Sequence, residues 1–165
     1  MTMGFLRSLR SRISRREEGN ILIEFALALP VLLLLLGGML DLGRYALQKS
    51  AILEGARQGA QYGVLVYSGA STASSTDSAN VNATAQNASA LSGVTATNSL
   101  FCECVAGTAV ACTTTCSSGT LKRYVTVNTS KAFSSVVTSS TLSFGAFGSW
   151  TPPTSMSASI TMIVP

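Results

Sequence analysis

Four cysteines carry most of the covalent chemistry that this sequence can offer. They are Cys102, Cys104, Cys112 and Cys116, an even number at close spacing. Outside the cytoplasm such a set predicts two disulfides, and the alternative is a metal site with four thiolate ligands. The spacings C-x-C and C-x3-C do not match the paired C-x2-C knuckles of zinc sites. The sequence therefore favours disulfides and predicts no bound metal and no cofactor.

The disulfide pairing depends on where the chain turns. Cys102 and Cys104 are two residues apart, so on a strand they point to the same face. Residues 106–108 contain a glycine and could reverse the chain. In an antiparallel hairpin, the residue numbers of paired positions have a nearly constant sum. This rule favours the nested bridges Cys102–Cys116 and Cys104–Cys112, if one bulge absorbs the small difference between their two sums. The crossed pattern, Cys102–Cys112 with Cys104–Cys116, is the alternative, and a Cys102–Cys104 bridge would be strained.

Acid–base and nucleophilic catalysis have little support in this sequence. The chain has no histidine, which removes Ser-His and Cys-His pairs and histidine-ligated metals. Beyond Glu54 the acidic residues are Asp77 and Glu103 alone. No catalytic constellation can be assembled from these groups, so we expect that the protein is not an enzyme.

An N-terminal basic arm and the apolar span that follows it predict on which side of a membrane each part of the chain lies. Residues 1–19 carry a net charge of +3 out of +4 for the whole chain. Residues 21–40 are almost entirely apolar, and about 20 residues at about 1.5 Å rise cross a bilayer core of about 30 Å. The positive-inside rule then predicts a cytoplasmic leader over residues 1–19, a transmembrane helix over residues 20–40 and an exported C-terminal part. Because no second basic stripe follows, we expect no nucleic-acid partner.

The junction between arm and span has a more specific pattern than hydropathy. The apolar core is too long for a secretory signal peptide and lacks an A-x-A-like site, whereas a plain membrane anchor stays an alternative. Glu24 argues against that alternative, because an ionisable group inside a membrane segment is costly and usually functional. Gly19, Asn20, Glu24 and Phe25 together resemble the type IV prepilin processing site. The resemblance implies a cut after Gly19, with Glu24 as the fifth mature residue.

The helical pattern continues beyond the span, and it predicts one helix over residues 20–66. Its exported half, residues 41–67, has an apolar face, on which Lys49 is the exception, and an opposite polar face. Gly55, Gly59 and Gly63 repeat every four residues and predict close approach of another backbone. The alternative is a helix that three glycines weaken. The apolar face consists of Leu42, Tyr45, Ala46, Leu53, Ala56, Ala60, Val64 and Tyr67.

Several short motifs on this helix point to one family. A glutamate followed by an aromatic residue, a proline in the span, a D-x-G-R motif and an E-G-A-R motif occur in that order. This run resembles the TadE-like pseudopilins of the tight-adherence (Flp-type) pilus system, although the family often has tyrosine where Phe25 stands. The residues that carry the resemblance are Glu24, Phe25, Pro30, Asp41, Gly43, Arg44, Glu54, Gly55, Ala56 and Arg57.

The resemblance implies a function and a set of partners. It implies a minor pilin or pseudopilin in the bacterial inner membrane, processed by a prepilin peptidase and active in pilus assembly, priming, tip formation or anchoring. The implied partners are the peptidase, other pilins, the inner-membrane assembly platform and the lipid bilayer. The alternative is a single-pass, membrane-anchored adhesion module outside the cytoplasm that enters no filament.

The exported part beyond the helix predicts an α+β fold. Residues 68–99 are rich in Ser, Thr and Ala and predict a linker, within which residues 77–91 could form a second helix capped by Asp77 or Thr76. Its apolar stripe would be Val81, Ala85, Ala88 and Leu91, with Gly93 as the stop. Residues 100–165 predict a small antiparallel sheet stapled by the disulfides, with strands at 100–105, 124–129 and 157–164.

Overall fold

The described residues form two helices and six strands, which confirms the predicted α+β class. A computed structural model describes residues 3–105, 107–136, 141–143 and 148–165, with the backbone alone for residues 3–19, 142–143 and 150. The chain divides into two compact units, Met1–Leu42 and Gly43–Pro165. In chain order the elements are α1 (Met3–Val66), α2 (Ser75–Ala88), β1 (Val94–Val105), β2 (Thr108–Val110), β3 (Lys122–Ala132), β4 (Leu142–Ser143), β5 (Ser149–Trp150) and β6 (Ser155–Val164).

Helix α1 ends at Val66, as predicted, but begins at Met3 rather than at Asn20. It starts earlier because the helical backbone continues through the leader, whose arginines, leucines and glutamates are good helix formers. The segment Asn20–Val66 contains a window with a mean hydropathy of 2.5, none of it buried. By length and composition, this one described helix can cross a membrane.

A four-stranded sheet forms the centre of the unit Gly43–Pro165. Its strand order is β2-β1-β3-β6, with every neighbouring pair antiparallel, and β4 pairs with β5 separately. Strand β1 begins at Val94, so part of the predicted linker over residues 68–99 belongs to the sheet. The pattern there was weak because small residues alternate with threonine, with Val94 and Ala96 buried and Thr95 exposed. Strand β6 alternates as predicted, with Met156 and Val164 among its buried residues.

Helix α2 exists, but its bounds differ from the predicted residues 77–91. It begins at Ser75 because Ser74 is the N-cap, whose hydroxyl accepts a hydrogen bond from the Asp77 N–H at 3.1 Å. Asp77 is therefore at position N3, three residues after the cap, rather than the cap itself. The helix ends at Ala88, before the predicted stop at Gly93. The predicted apolar stripe of this helix is confirmed at Val81 and Ala85, which are fully buried.

Both helices pack on the inner face of the sheet, and the residues between them are mostly small. One cluster joins both helices to the central strands, and a second joins α1 to β1, to Phe133 and to β6. Small side chains let the helices lie close to the sheet. The first cluster contains Ala60, Tyr67, Val81, Ala85, Ala96, Val125, Val127 and Val164, and the second contains Ile52, Ala56, Val94, Phe133, Met156 and Ala158.

The three regularly spaced glycines of α1 form the ridge of closest approach. A Cβ on Gly55 would lie 2.5 Å from the carbonyl oxygen of Ala85, and one on Gly59 would lie 2.7 Å from the Cβ of Ala85. A Cβ on Gly63 would lie 2.9 Å from a Val125 methyl. The ridge therefore faces α2 and β3, which confirms close backbone packing rather than a merely weakened helix.

Substitutions on the ridge and off it should change stability in opposite directions. We expect Gly55→Ala to lower the free energy of unfolding by about 1–3 kcal/mol, because the added methyl overlaps the Ala85 carbonyl. The control Gly43→Ala meets nothing within 4 Å and should raise that free energy by up to about 1 kcal/mol through helix propensity. Urea unfolding of the full chain in detergent micelles measures both. Shifts in the same direction would contradict the packing role.

Candidate functional site

The predicted processing residues lie on the first half of α1. Gly19 and Asn20 occupy consecutive helical positions, and Asn20 and Glu24 are exposed. Phe25 is also exposed, at 57%. Residues four apart lie on the same helix face, one turn apart. A new α-amine at Asn20 would therefore lie one turn from the Glu24 carboxylate.

The D-x-G-R motif spans the end of one compact unit and the start of the next. In the first unit, Asp41 is only 6% exposed, although the apolar residues of the preceding span are exposed. In the second unit, the Arg44 guanidinium carbon lies 5.9 Å from the centre of the Phe133 ring. Tyr45 meets the same ring edge-on, with centroids 5.4 Å apart. This cation–π and aromatic group holds the first turn of α1 beyond Leu42 against the segment that follows β3.

The E-G-A-R motif divides between two faces of α1. Gly55 and Ala56 are buried against α2 and the sheet. Glu54 and Arg57 stay about half exposed and approach each other to 4.0 Å. Glu54 also accepts a hydrogen bond from the Gln58 amide at 3.0 Å. The small pair thus packs the domain, whereas the charged pair faces solvent, where such an ion pair contributes little to stability.

Two contacts between α1 and the strands involve residues that the sequence analysis did not assign. The buried Thr129 hydroxyl donates to the Ile52 carbonyl at 2.8 Å, and Ile52 itself is fully buried. The Lys49 ammonium donates to the Ser157 carbonyl on β6. The position of Lys49 on an otherwise apolar helix face was the signal for this contact, because long side chains bury their stems and extend their charge to polar groups.

A polar network joins the end of α1 to α2 and β1. The fully buried Tyr67 donates its hydroxyl to the Asn98 side-chain oxygen at 2.7 Å. The Asn98 amide nitrogen donates to the Ser78 carbonyl and to the Asn82 side-chain oxygen, each at 2.8 Å. Burial raises the pKa of Tyr67 above its ordinary value, an effect that its hydrogen bond with Ser78 opposes and the nearby Asp77 carboxylate reinforces. Burial therefore favours a neutral Tyr67 in the folded chain.

The four cysteines form two disulfides, but the nested pairing is wrong. The bridges are Cys102–Cys112, with Cα atoms 5.1 Å apart, and Cys104–Cys116, with Cα atoms 5.5 Å apart. Because the sulfurs bind each other in pairs, the structure has the disulfides and not the four-thiolate alternative.

The crossed pattern arises because β2 does not continue straight to Cys116. Cys102 pairs with Val110 in the ladder, so Cys112, two residues later, lies on the same side and reaches Cys102. The chain then turns, with the Thr114 N–H donating to the Ala111 carbonyl at 2.9 Å. The turn brings Cys116 back to Cys104, where the register with β2 is already irregular.

The processing residues and both motifs thus lie on one continuous helix. Residues 19–61 match the family model described as TadE-like protein. This segment is therefore similar to the TadE-like family. It includes Gly19, Glu24, Pro30 and both motifs, and it confirms the resemblance that those residues predicted. No curated protein and no solved structure matches the chain. A TadE-like domain suggests a protein associated with the Tad pilus and implies pilus-related protein partners.

The two disulfides should differ in how much they stabilise the unit Gly43–Pro165. Their sequence separations of 10 and 12 residues give similar loop entropies, roughly 2–3 kcal/mol each. Cys102 is fully buried, so its sulfur also packs the core. We expect the double change Cys102→Ala with Cys112→Ala to lower the free energy of unfolding more than Cys104→Ala with Cys116→Ala.

Two measurements on the full chain in micelles check the stability difference and the disulfide pairing. Denaturant unfolding compares the two double variants, and a non-reducing peptide map identifies the crossed bridges in the unaltered chain. Equal losses of stability would contradict the packing argument, and a Cys102–Cys116 peptide would contradict the pairing.

Proposed function

We propose that this chain is a minor pilin or pseudopilin of a tight-adherence pilus. It enters the bacterial inner membrane as a single-pass protein, and a prepilin peptidase cuts it after Gly19. The mature chain then takes part in pilus assembly, priming, tip formation or anchoring. The observation that carries the proposal is the TadE-like match over residues 19–61, which includes an apolar stretch of α1 whose side chains are unburied.

The charge distribution supports one orientation of this helix. The basic leader stays in the cytoplasm by the positive-inside rule, and the unit Gly43–Pro165 then lies on the periplasmic side. The two disulfides are consistent with that side, because disulfides persist in oxidising compartments. The partners that follow are the peptidase, the bilayer, the assembly platform and other pilins, whose apolar helices would cover the exposed span.

Glu24 has the position that an assembly residue needs. Cleavage after Gly19 creates a positive α-amine at the start of a helix in or near lipid, where an unpaired charge is costly. A carboxylate one turn away, on the same chain or on a neighbouring subunit, neutralises this charge and interacts favourably with the helix dipole. A subunit whose amine pairs with a neighbour's Glu24 would be held in register along the filament.

A structural role fits the remaining acidic residues better than catalysis. The Asp77 carboxylate lies 2.6 Å from the Ser74 hydroxyl in the cap of α2, so it holds the helix end.

The second candidate function is a membrane-anchored adhesion module. One observation favours it, since Gly43–Pro165 is a compact unit that extends far beyond the family match.

The first test of the proposed function concerns processing. We expect mass spectrometry of the membrane-bound protein to find Asn20 as the first residue, and the same mature chain should occur in sheared surface filaments. A chain that keeps residues 1–19 in cells with an active prepilin peptidase would contradict the proposal. Mature chains in membranes but never in filaments would favour the anchored adhesion module.

The second test separates processing from assembly. We expect Glu24→Ala to leave cleavage largely intact but to reduce the filament fraction at least tenfold, because the new α-amine loses its counter-charge. Glu54→Ala is the matched control, since Glu54 is half exposed in a weak ion pair with Arg57. Immunoblots of the membrane and sheared fractions measure both steps. Normal filaments with Glu24→Ala as the sole copy would show that Glu24 has no assembly role.

A further inference from the structure

Strand β6 is an edge of the four-stranded sheet, and the strand itself carries none of the charges, prolines or bulges that usually protect an edge. It pairs with β3 over ten consecutive positions, from Arg123↔Val164 to Ala132↔Ser155, without a bulge. Ser155–Val164 contains neither a charged residue nor a proline. Natural sheets block such long edges with charges, prolines, bulges or covering segments, because free backbone groups pair with other strands.

One part of this edge is covered, and the contact shows which backbone groups point outwards. Lys49 donates to the Ser157 carbonyl, so Ser157 directs its backbone groups away from β3. These groups alternate along an antiparallel strand, so Ser159, Thr161 and Ile163 direct theirs outwards too. The Thr126 and Thr161 hydroxyls lie 2.7 Å apart, which fits the closer pairs that form no ladder bonds.

A groove between α1 and β6 lies beside the open part of the edge. Gln61 and Val64 line it on the helix side, and Met162 and Ile163 line it on the strand side. Ile163 is 56% exposed. The groove begins beyond the position that Lys49 covers, so its apolar surface adjoins the outward backbone groups at the Ile163 end of the strand.

We propose that β6 binds an extended, uncharged segment of another protein chain, which adds to the sheet as a fifth strand along residues 159–164. The outward N–H and C=O groups recur every two residues, a spacing that another strand backbone matches. The absence of charge along the edge favours an uncharged segment, and the groove favours apolar residues at the alternate positions that face α1. The proposal concerns the exported unit alone and holds whether or not the chain enters a pilus.

Amide hydrogen exchange tests the proposal on the full-length chain in detergent micelles. The probe is a synthetic peptide with the sequence of Ser155–Val164, which has the required alternation. Before addition, we expect the amides of Ser159, Thr161 and Ile163 to exchange at least tenfold faster than that of Ile160. The peptide should slow the three fast amides at least tenfold. A scrambled peptide of the same composition should leave them unchanged.

A matched pair of variants separates backbone pairing from adsorption. Ser159→Pro removes an outward N–H at a position where an edge strand tolerates proline, and it should weaken peptide binding roughly tenfold. Ser159→Ala keeps the N–H and should bind as the unaltered chain does. If Ser159→Pro does not fold, amide hydrogen exchange of the unaltered chain, with and without the peptide, tests the proposal by itself.

Four results would overturn the proposal. Protection of the three amides before the peptide is added would show that the chain covers its own edge. No protection by the peptide, or equal protection by the scrambled one, would exclude strand addition. Equal binding by Ser159→Pro and Ser159→Ala would exclude a role for the outward backbone groups.

Discussion

The unit Gly43–Pro165 depends on how closely α1 approaches α2. At Gly55 even a Cβ atom would lie 2.5 Å from the Ala85 carbonyl, so backbone lies against backbone where side chains usually keep helix axes 8–10 Å apart. This spacing lets both helices share the inner face of a narrow sheet. The core can then be filled by alanines and valines, since little space is left between the layers. Bulk added to the ridge would displace α1 from β3 as well as from α2.

Helix α1 has two parts whose residue types differ. In residues 20–40 the large apolar side chains are exposed, with Leu27 at 74%, as expected of a helix that can cross a membrane. Beyond Gly43 the buried face is built from small residues, with Ile52 as its large member. The E-G-A-R motif shows the two faces of this second part, because its glycine and alanine pack against the domain while its charged residues face water. The family match covers residues of both parts of α1 and ends before α2.

The sequence predicted the elements whose periodicity is strong. The end of α1, the alternation of β6 and the buried stripe of α2 agree with the structure. The buried face of α1 was predicted less well, because glycines add nothing to a hydrophobic pattern. The buried face of α1 in the structure includes Gly59 and Ile52, which the predicted face omitted.

The disulfide pairing could not be read from spacing, since it depends on a turn at residues 111–114. Neither glycine nor proline occurs in that turn, and its sequence is mostly threonine and alanine. The pairing also depends on the irregular register at Cys104, a property of tertiary contacts and not of local sequence. The cleavage after Gly19 and the role of Glu24 remain predictions, because they concern a reaction and an assembly rather than the fold of one chain.

The topology of the sheet sets an order for folding. The β1–β2 hairpin joins residues close in sequence, whereas β6 reaches β3 only after residues 133–154 have closed a loop. Local contacts form faster than distant ones, because loop closure costs entropy before any contact stabilises it. Until β6 arrives, β3 has a free edge, and Met156 and Val164 have no core to enter. A partly folded chain without docked β6 would therefore be prone to aggregate, and faster docking of β6 would shorten that exposure.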